Sequence, residues 1–190
     1  KTWGFQLKFT PQSIPDVILI EPTIFGDNRG YFAETFRQDL LNENIEHKIN
    51  FVQDNESKSS KGVLRGLHYQ VPPFSQAKLV RVINGSVLDV VLDVRKSSKS
   101  FGQHISFELN DKNRRQLFVP HGFAHGFVVL SDSATFAYKV DKYYAPEYDR
   151  GIAYDDLDLA IDWKLPRSLL KFSEKDKKNP TFSNAKDLFV

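Results

Sequence analysis

Cysteine is absent from this 190-residue sequence, which removes disulfides, thiolate metal ligands and cysteine nucleophiles together and leaves the redox compartment open. Charge of one sign is missing too. Twenty-six lysines and arginines stand against 24 aspartates and glutamates, a net charge of +2 scattered along the chain rather than gathered in blocks. Such a balance carries no electrostatic footprint for nucleic acid or a membrane surface, so a partner has to be recognised in a pocket. There is also no apolar run of the kind a signal sequence or membrane span needs, and the expected compartment is the cytoplasm. With 41% hydrophobic residues and no linker-like stretch, residues 1–190 are expected to form a single domain with a sizeable core.

What the chain does contain is a series of short segments with the two-residue period of strands. Gly4 to Thr10 alternates apolar and polar until Pro11, and Val17 to Ile20 is a β-branched run closed by Pro22. Gly26 to Gly30 is turn chemistry that delivers Tyr31, Phe32 and Glu34 on another strand, with Arg29 and Glu34 flanking the turn. Asp39 to Glu46 is the only helix expected before the main β region. Phe51 to Asn55 places Gln53 and Asn55 on one face, and Ser57 to Lys61 reads as a polar loop. Leu79 to Ile83 and Val87 to Val91 are joined by Asn84-Gly85, a strong hairpin signal, and Phe127 to Leu130 with Thr135 to Val140 reads as a second hairpin. Beyond Trp163 the chain becomes polar, and Lys171 to Lys178 is expected to be a helical or irregular tail. Many short strands with frequent turns predict a mainly β protein, a sandwich or closed barrel.

Two glycine-bounded turns each carry a histidine: Gly62 to Gln70, with Arg65 and His68, and Pro120 to Phe127, with His121 and His125. They look like the two halves of a cupin-type β barrel, or jelly roll, here with short peripheral helices and an N-terminal strand extension. A metal-binding cupin needs a second histidine close after the first and then a glutamate, so that several N and O ligands converge. Gln70 occupies that second position and no glutamate follows within ten residues, so no metal is expected.

What remains, with His68, His125, Lys78, Arg65 and strand tyrosines on one barrel interior, is an acid/base set. An imidazole, pKa about 6.5, can accept a proton at neutral pH, and a tyrosine, pKa about 10, can donate one. Placed on opposite sides of a carbon next to a carbonyl, they can invert it, with Lys78 suited to the enolate oxygen. Plainer roles compete for the same residues. His68 can be a satisfied core histidine, Tyr138 a packed aromatic, and 174–178 a solvated charge run; His47 and His104 read as surface residues. Asp89, among valines, is either a solvent-facing residue or the buried partner of a base.

The motifs Phe25 to Gly30, Phe51 to Asn55, Val63 to His68, Lys78 to Arg81, Gly122 to Phe127, Tyr138-Lys139, Leu159 to Trp163 and Ser173 to Asp176, in this order, resemble the dTDP-4-dehydrorhamnose 3,5-epimerase family. The resemblance implies a reaction with no cofactor and no metal. His68 falls on the family's general base, Asp176 on its dyad partner, Tyr138 on the acid of the opposite face and Lys78 beside the enolate. Arg65 and His125 would line the sugar site. Arg29, Glu34, Gln53, Asn55 and Lys175 match positions that hold the dTDP-sugar nucleotide. The family is dimeric with exchanged N-terminal strands, so Arg29 and Glu34 are expected to serve a neighbour's pocket. Two residues depart from the pattern: Asp149, where a nucleotide-contacting glutamate is expected, and His121, where an acid is common and pocket charge would change. The alternatives are a single-carbon epimerase of another deoxysugar pathway, a metal-dependent cupin oxygenase and a non-catalytic sugar-binding cupin.

Overall fold

A computed structural model describes residues 7–190; the first part of the expected Gly4–Thr10 strand, residues 4–6, lies outside the described residues. The remainder forms β1 (Leu7–Pro11), with Pro11 inside the strand, antiparallel to β2 (Ile18–Pro22). β3 (Ile24–Asp27) and β4 (Gly30–Ala33) make a two-stranded ribbon about the predicted turn. Helix α1 (Gln38–Asn44) is pinned by side chains. Gln38 and Asn42 donate to the Ile49 carbonyl, while their own carbonyls accept the N–H groups of Phe51 and Ile49.

Nine further strands complete two sheets: β5 (Gln53–Ser60), β6 (Leu64–Gln70), β7 (Lys78–Asn84), β8 (Ser86–Asp93), β9 (His104–Asn110), β10 (Gln116–Val119), β11 (Phe123–Val129), β12 (Ser133–Val140) and β13 (Asp149–Gly151). One sheet has the order β1-β2-β10-β7-β12-β5 and the other β13-β6-β11-β8-β9. From β5 to β13 every step except β8 to β9 crosses from one sheet to the other, which is the jelly-roll connectivity the cupin-type reading anticipates.

This topology corrects three expectations. Asn84-Gly85 does not close a hairpin, because β7 pairs with β10 and β12 while β8 pairs with β9 and β11. The dipeptide turns the chain from one sheet into the other. Gly85 N–H donates to Asp111 and Ser86 N–H to Ser131, so neighbouring turns take the place of a hairpin partner. β11 and β12 likewise lie in different sheets. The local signal specifies a reversal of direction and leaves the pairing to the sheets. The third correction is the polar loop at 57–61: Ser57 to Ser60 continue β5, registered against Ser133 to Phe136 of β12. The strand was hidden because its inward face is polar.

Gly85 has φ +87°, and a Cβ there would sit 2.2 Å from the Ser133 carbonyl oxygen. Gly85→Ala is therefore expected to lower stability by about 2–4 kcal/mol through backbone strain and a clash against main chain. The midpoint of urea unfolding reads this, with an unchanged m-value.

β8 is buried along nearly its whole length because both faces of its sheet are covered. Val87 and Val91 point into the space between the sheets with Phe123, Phe127 and Phe136. Leu88, Val90 and Leu92 point outward and are covered by the returning C-terminal segment, including Ile152, Tyr154, Leu159 and Trp163. A third cluster joins Leu41 of α1 to Ile18, Ile20, Leu79 and Phe118 on the outer face of the six-stranded sheet. His104 belongs to this covering scheme rather than to the surface: it is half-buried, with Nε2 2.7 Å from the Leu159 carbonyl oxygen. His47 is exposed as expected.

Candidate active site

Between the sheets lies a cavity of about 620 Å³. Its floor is apolar, with Phe127 stacked on Phe136 at 4.1 Å between ring centroids. One wall is the five-stranded sheet. His68 of β6 and His125 of β11 are direct cross-strand partners, and both face the cavity. Strict alternation would put Arg65 and His68 on opposite faces, yet both line it. A register shift between His125 and Phe127, opposite Gly66, makes this possible. Gly66 has φ +121°, and a Cβ on it would lie 2.7 Å from Gly126 Cα, so two glycines let the histidine-bearing strands close up.

The opposite wall is the six-stranded sheet, with Tyr138 on β12, Lys78 on β7, and Asn55 and Ser57 on β5. Lys78 Nζ is 6.0 Å from the Tyr138 ring centroid. Burial pushes the Lys78 ammonium down to about 8, against the pull of Asp149 and Asp89. Burial also raises the Tyr138 hydroxyl, opposed by the Arg65 charge and a hydrogen bond with Asn55, its cross-strand partner.

The rim comes from the C-terminal tail, which is irregular with single-turn helices. The tail runs beside β6, with Leu64 N–H donating to the Lys171 carbonyl and Lys171 N–H to Gly62. This brings Asp176 to His68: His68 Nε2 lies 2.5 Å from Asp176 Oδ1, and Gly66 N–H donates to Oδ2 at 3.3 Å. Burial acts to raise the Asp176 carboxyl, but His68, the Gly66 N–H and Ser173 together hold it below the usual carboxylate range. The ring is left with Nδ1 for the cavity. The charge run at 174–178 is therefore not uniformly solvated, since Asp176 is 4% exposed.

The cavity thus gathers Asn55, Arg65, His68, Lys78, His125, Tyr138, Asp149, Lys175 and Asp176. Asp149 meets Lys175 in an ion pair that raises the lysine and accepts from Tyr144 Oη at 3.3 Å. Within one chain it does not gather Arg29, Glu34 or Gln53. Arg29 is paired with Asp27 on the exposed ribbon, and Gln53 donates to Asn55 Oδ1 just outside the cavity. Glu34 Oε1 is buried without a hydrogen-bond partner. His121 does not alter the charge of this cavity. It binds Asp141 at 2.7 Å and lines a separate space of about 260 Å³ with Arg95 and Phe118.

The sequence reading missed Ser57, Tyr144, Lys171 and Ser173 as cavity residues, and it left Asp89 undecided. Alternation of small polar with charged residues from Gln53 to Ser60 was the available signal for Ser57, and Ser173 lay in the Ser173 to Asp176 motif without an assigned role; Tyr144 and Lys171 had no signal. Asp89 is the buried partner of a histidine, His125, with Nε2 to Oδ2 at 2.7 Å. Gln70 is also buried, donating to Phe74 and Tyr143 carbonyls and accepting from Ala145 N–H, so it serves as a structural clamp. Among the described residues no three His, Asp or Glu side chains are grouped as a metal would need.

The arrangement can remove a proton at one wall, stabilise negative charge with Lys78, and return a proton from the other. Comparison with known proteins shows the family. Residues 11–184 match the family model described as dTDP-4-dehydrorhamnose 3,5-epimerase. The chain is 50% identical over 177 residues to the protein of that name from Shigella flexneri, covering 93% of this chain and 96% of the relative. The crystal structure of the Elizabethkingia anophelis enzyme of that name superposes with a TM-score of 0.91 at 46% identity, covering 95% and 98% of the two chains. A 3,5-epimerase from Legionella pneumophila in complex with dTDP-4-keto-L-rhamnose gives 0.91 at 44% identity, covering 95% of each.

Proposed function

The chain belongs to the dTDP-4-dehydrorhamnose 3,5-epimerase family, and from that premise we propose that it is a cytoplasmic isomerase. It would convert dTDP-4-dehydro-6-deoxy-D-glucose to dTDP-4-dehydro-L-rhamnose, serving the biosynthesis of dTDP-L-rhamnose. The observation that carries this reading is the placement of His68 and Tyr138 on opposite sheets, facing each other across one cavity.

The 4-keto group acidifies hydrogens at both C3 and C5. His68 Nδ1 takes the proton, Asp176 stabilises the resulting imidazolium through Nε2, and the C–H electron pair moves to O4 as an enolate that Lys78 neutralises. Tyr138 then gives a proton to the other face of the carbon, and before the next inversion His68 releases its proton to solvent while Tyr138 takes one up from it. Each inversion breaks and remakes one C–H bond and leaves the oxidation state unchanged, so the step calls for no redox cofactor. Lys171 and Lys175 on the tail would meet the nucleoside diphosphate, Lys175 exchanging its Asp149 partner for phosphate, while Arg65 lines the sugar site.

The test is NMR of dTDP-4-keto-6-deoxy-D-glucose with the protein in deuterated buffer. Deuterium at C3 and C5 with both centres inverted supports the reading. Deuterium at one carbon gives a single-carbon epimerase, and none leaves a binding protein.

The lysine role carries a pH signature. The Lys78 cation is present below about 8 and lost above it, so kcat should fall as pH rises through about 8. Tyr138, raised by burial, remains a donor there. Lys78→Gln is expected to lower kcat about 10²-fold and to remove that alkaline limb; a limb that persists would assign it elsewhere.

The protein is further proposed to act as a homodimer in which the N-terminal strands and the β3–β4 ribbon reach the neighbour. Tyr31 and Phe32, 57% and 60% exposed, are large aromatic surface for a solvated ribbon tip. Arg29 and Glu34 would then complete the partner's nucleotide site. Mixing inactive Arg29→Ala and His68→Ala chains under exchange conditions should restore activity, because one site of the mixed dimer regains both residues. No restoration would place Arg29 outside the partner's site.

A further inference from the structure

The cavity contains two histidine–aspartate pairs side by side, and they are built differently. In both, the aspartate meets Nε2, so in both Nδ1 is the ring nitrogen left for the cavity. Asp176 receives hydrogen bonds from His68 and from the Gly66 N–H, and its own N–H is tied to Ser173 Oγ. Its charge is well supported. Asp89 is 0% exposed and sits between Phe107 and Phe127, its cross-strand neighbours. Oδ2 meets His125, and Oδ1 is buried with no hydrogen-bond partner.

We propose that the Asp89–His125 pair carries one more proton than the His68–Asp176 pair, so that His125 presents a protonated Nδ1 to the cavity as a donor while His68 presents a lone pair as a base.

The reason is the cost of the alternative. If His125 were neutral with its proton on Nε2, an ionised carboxylate with one bare oxygen would be left in an apolar layer, and removing charge from water without partners is among the most expensive events in folding. One added proton leaves the pair neutral. Whether it resides on the carboxyl, donating to Nε2, or on the ring as an imidazolium, Nδ1 keeps its hydrogen. Burial raises the Asp89 carboxyl in the same sense, opposed by His125 and by Lys78. The titratable groups facing the pair across the cavity are Lys78 of β7 and Tyr138 of β12, with His68 and Arg65 beside it on β6 and Asp149 at the rim. Asp89 is thus a positioning residue acting through His125. Resting on the proposed reaction, the donor meets a sugar oxygen. Because His125 has no free lone pair at Nδ1, both proton abstractions fall to His68, although an imidazole lies on each of two adjacent strands.

The test is 15N NMR of the full-length protein labelled in histidine, without ligand at neutral pH, with His68 and His125 identified by the resonances lost in His68→Gln and His125→Gln. The expected result is a protonated, pyrrole-type Nδ1 for His125 and an unprotonated, pyridine-type Nδ1 for His68. A pyridine-type Nδ1 for His125 overturns the proposal. This readout does not depend on turnover, so it stands or falls apart from the epimerase assignment. The kinetic counterpart is rescue. Asp89→Ala should lower kcat/KM by about 10- to 100-fold, and Asp89→Asn, whose amide N–H can donate to Nε2 in place of the carboxyl, should recover most of that loss. Equal loss in both variants counts against the proposal. Should Asp89→Ala not fold, the NMR result on the unaltered protein decides.

Discussion

His68→Ala is expected to abolish deuterium incorporation at C3 and at C5 together, with kcat reduced by about 10³- to 10⁴-fold, the range of a lost general base. The joint loss is the informative part. His125 is the direct cross-strand neighbour of His68 and lines the same cavity; if the two histidines divided the carbons between them, one position would still exchange in the variant. The fold should survive, because the His68 side chain is 30% exposed and the neighbouring core residues Leu67 and Tyr69 point into a separate cluster behind the sheet. Asp176 would keep the Gly66 N–H but lose the imidazole that helps hold its carboxyl low. A far-UV spectrum and an unchanged affinity for dTDP separate lost chemistry from lost structure. Substantial turnover in this variant would make the proposed base wrong.

Tyr138→Phe is expected to separate the two halves of the reaction. The proposed base, His68 of the other wall, and its partner Asp176 on the tail are untouched, so proton removal should continue and deuterium enter the sugar. What is lost is delivery from the opposite face. Inversion should fall by about 10²- to 10³-fold, while solvent exchange with retained configuration falls much less, because an enolate denied its acid is reprotonated from the side of His68. The ratio of deuterated starting material to inverted product, followed by NMR over time, measures this directly. Equal losses of exchange and inversion would mean that Tyr138 shapes the site without donating the proton. The substitution removes only a hydroxyl from a ring that packs 6.0 Å from Phe136, so the barrel should tolerate it.

The two predictions depend on different kinds of information. The chemical types were legible: imidazole and guanidinium in a glycine-opened segment, an interior lysine and a strand tyrosine follow from residue identity and short spacing. So was the all-β character, because alternation is a local property. Pairing was not. Asn84-Gly85 has the composition of a hairpin turn, yet it links strands of different sheets, since which strand a neighbour pairs with is set by the closure of the whole barrel.

β5 escaped notice over Ser57 to Ser60 because a strand that lines a polar cavity lacks the apolar stripe by which strands are read. Asp176 reaches His68 from 108 residues away only because the tail is hydrogen-bonded along β6, a long-range contact with no trace in local composition. Asp89 is the sharpest case: among valines its sequence fits a solvent face as well as a buried one. The decision came from the six-stranded sheet closing over the inner face of β8, where Lys78 acts on the carboxylate, and from His125 in the next strand. The sequence by itself determined the inventory of acids, bases and charges and the period of the backbone. The tertiary structure decided which of them share one cavity and which are buried beside a partner, because desolvation and hydrogen bonding arise only when distant segments close around a group.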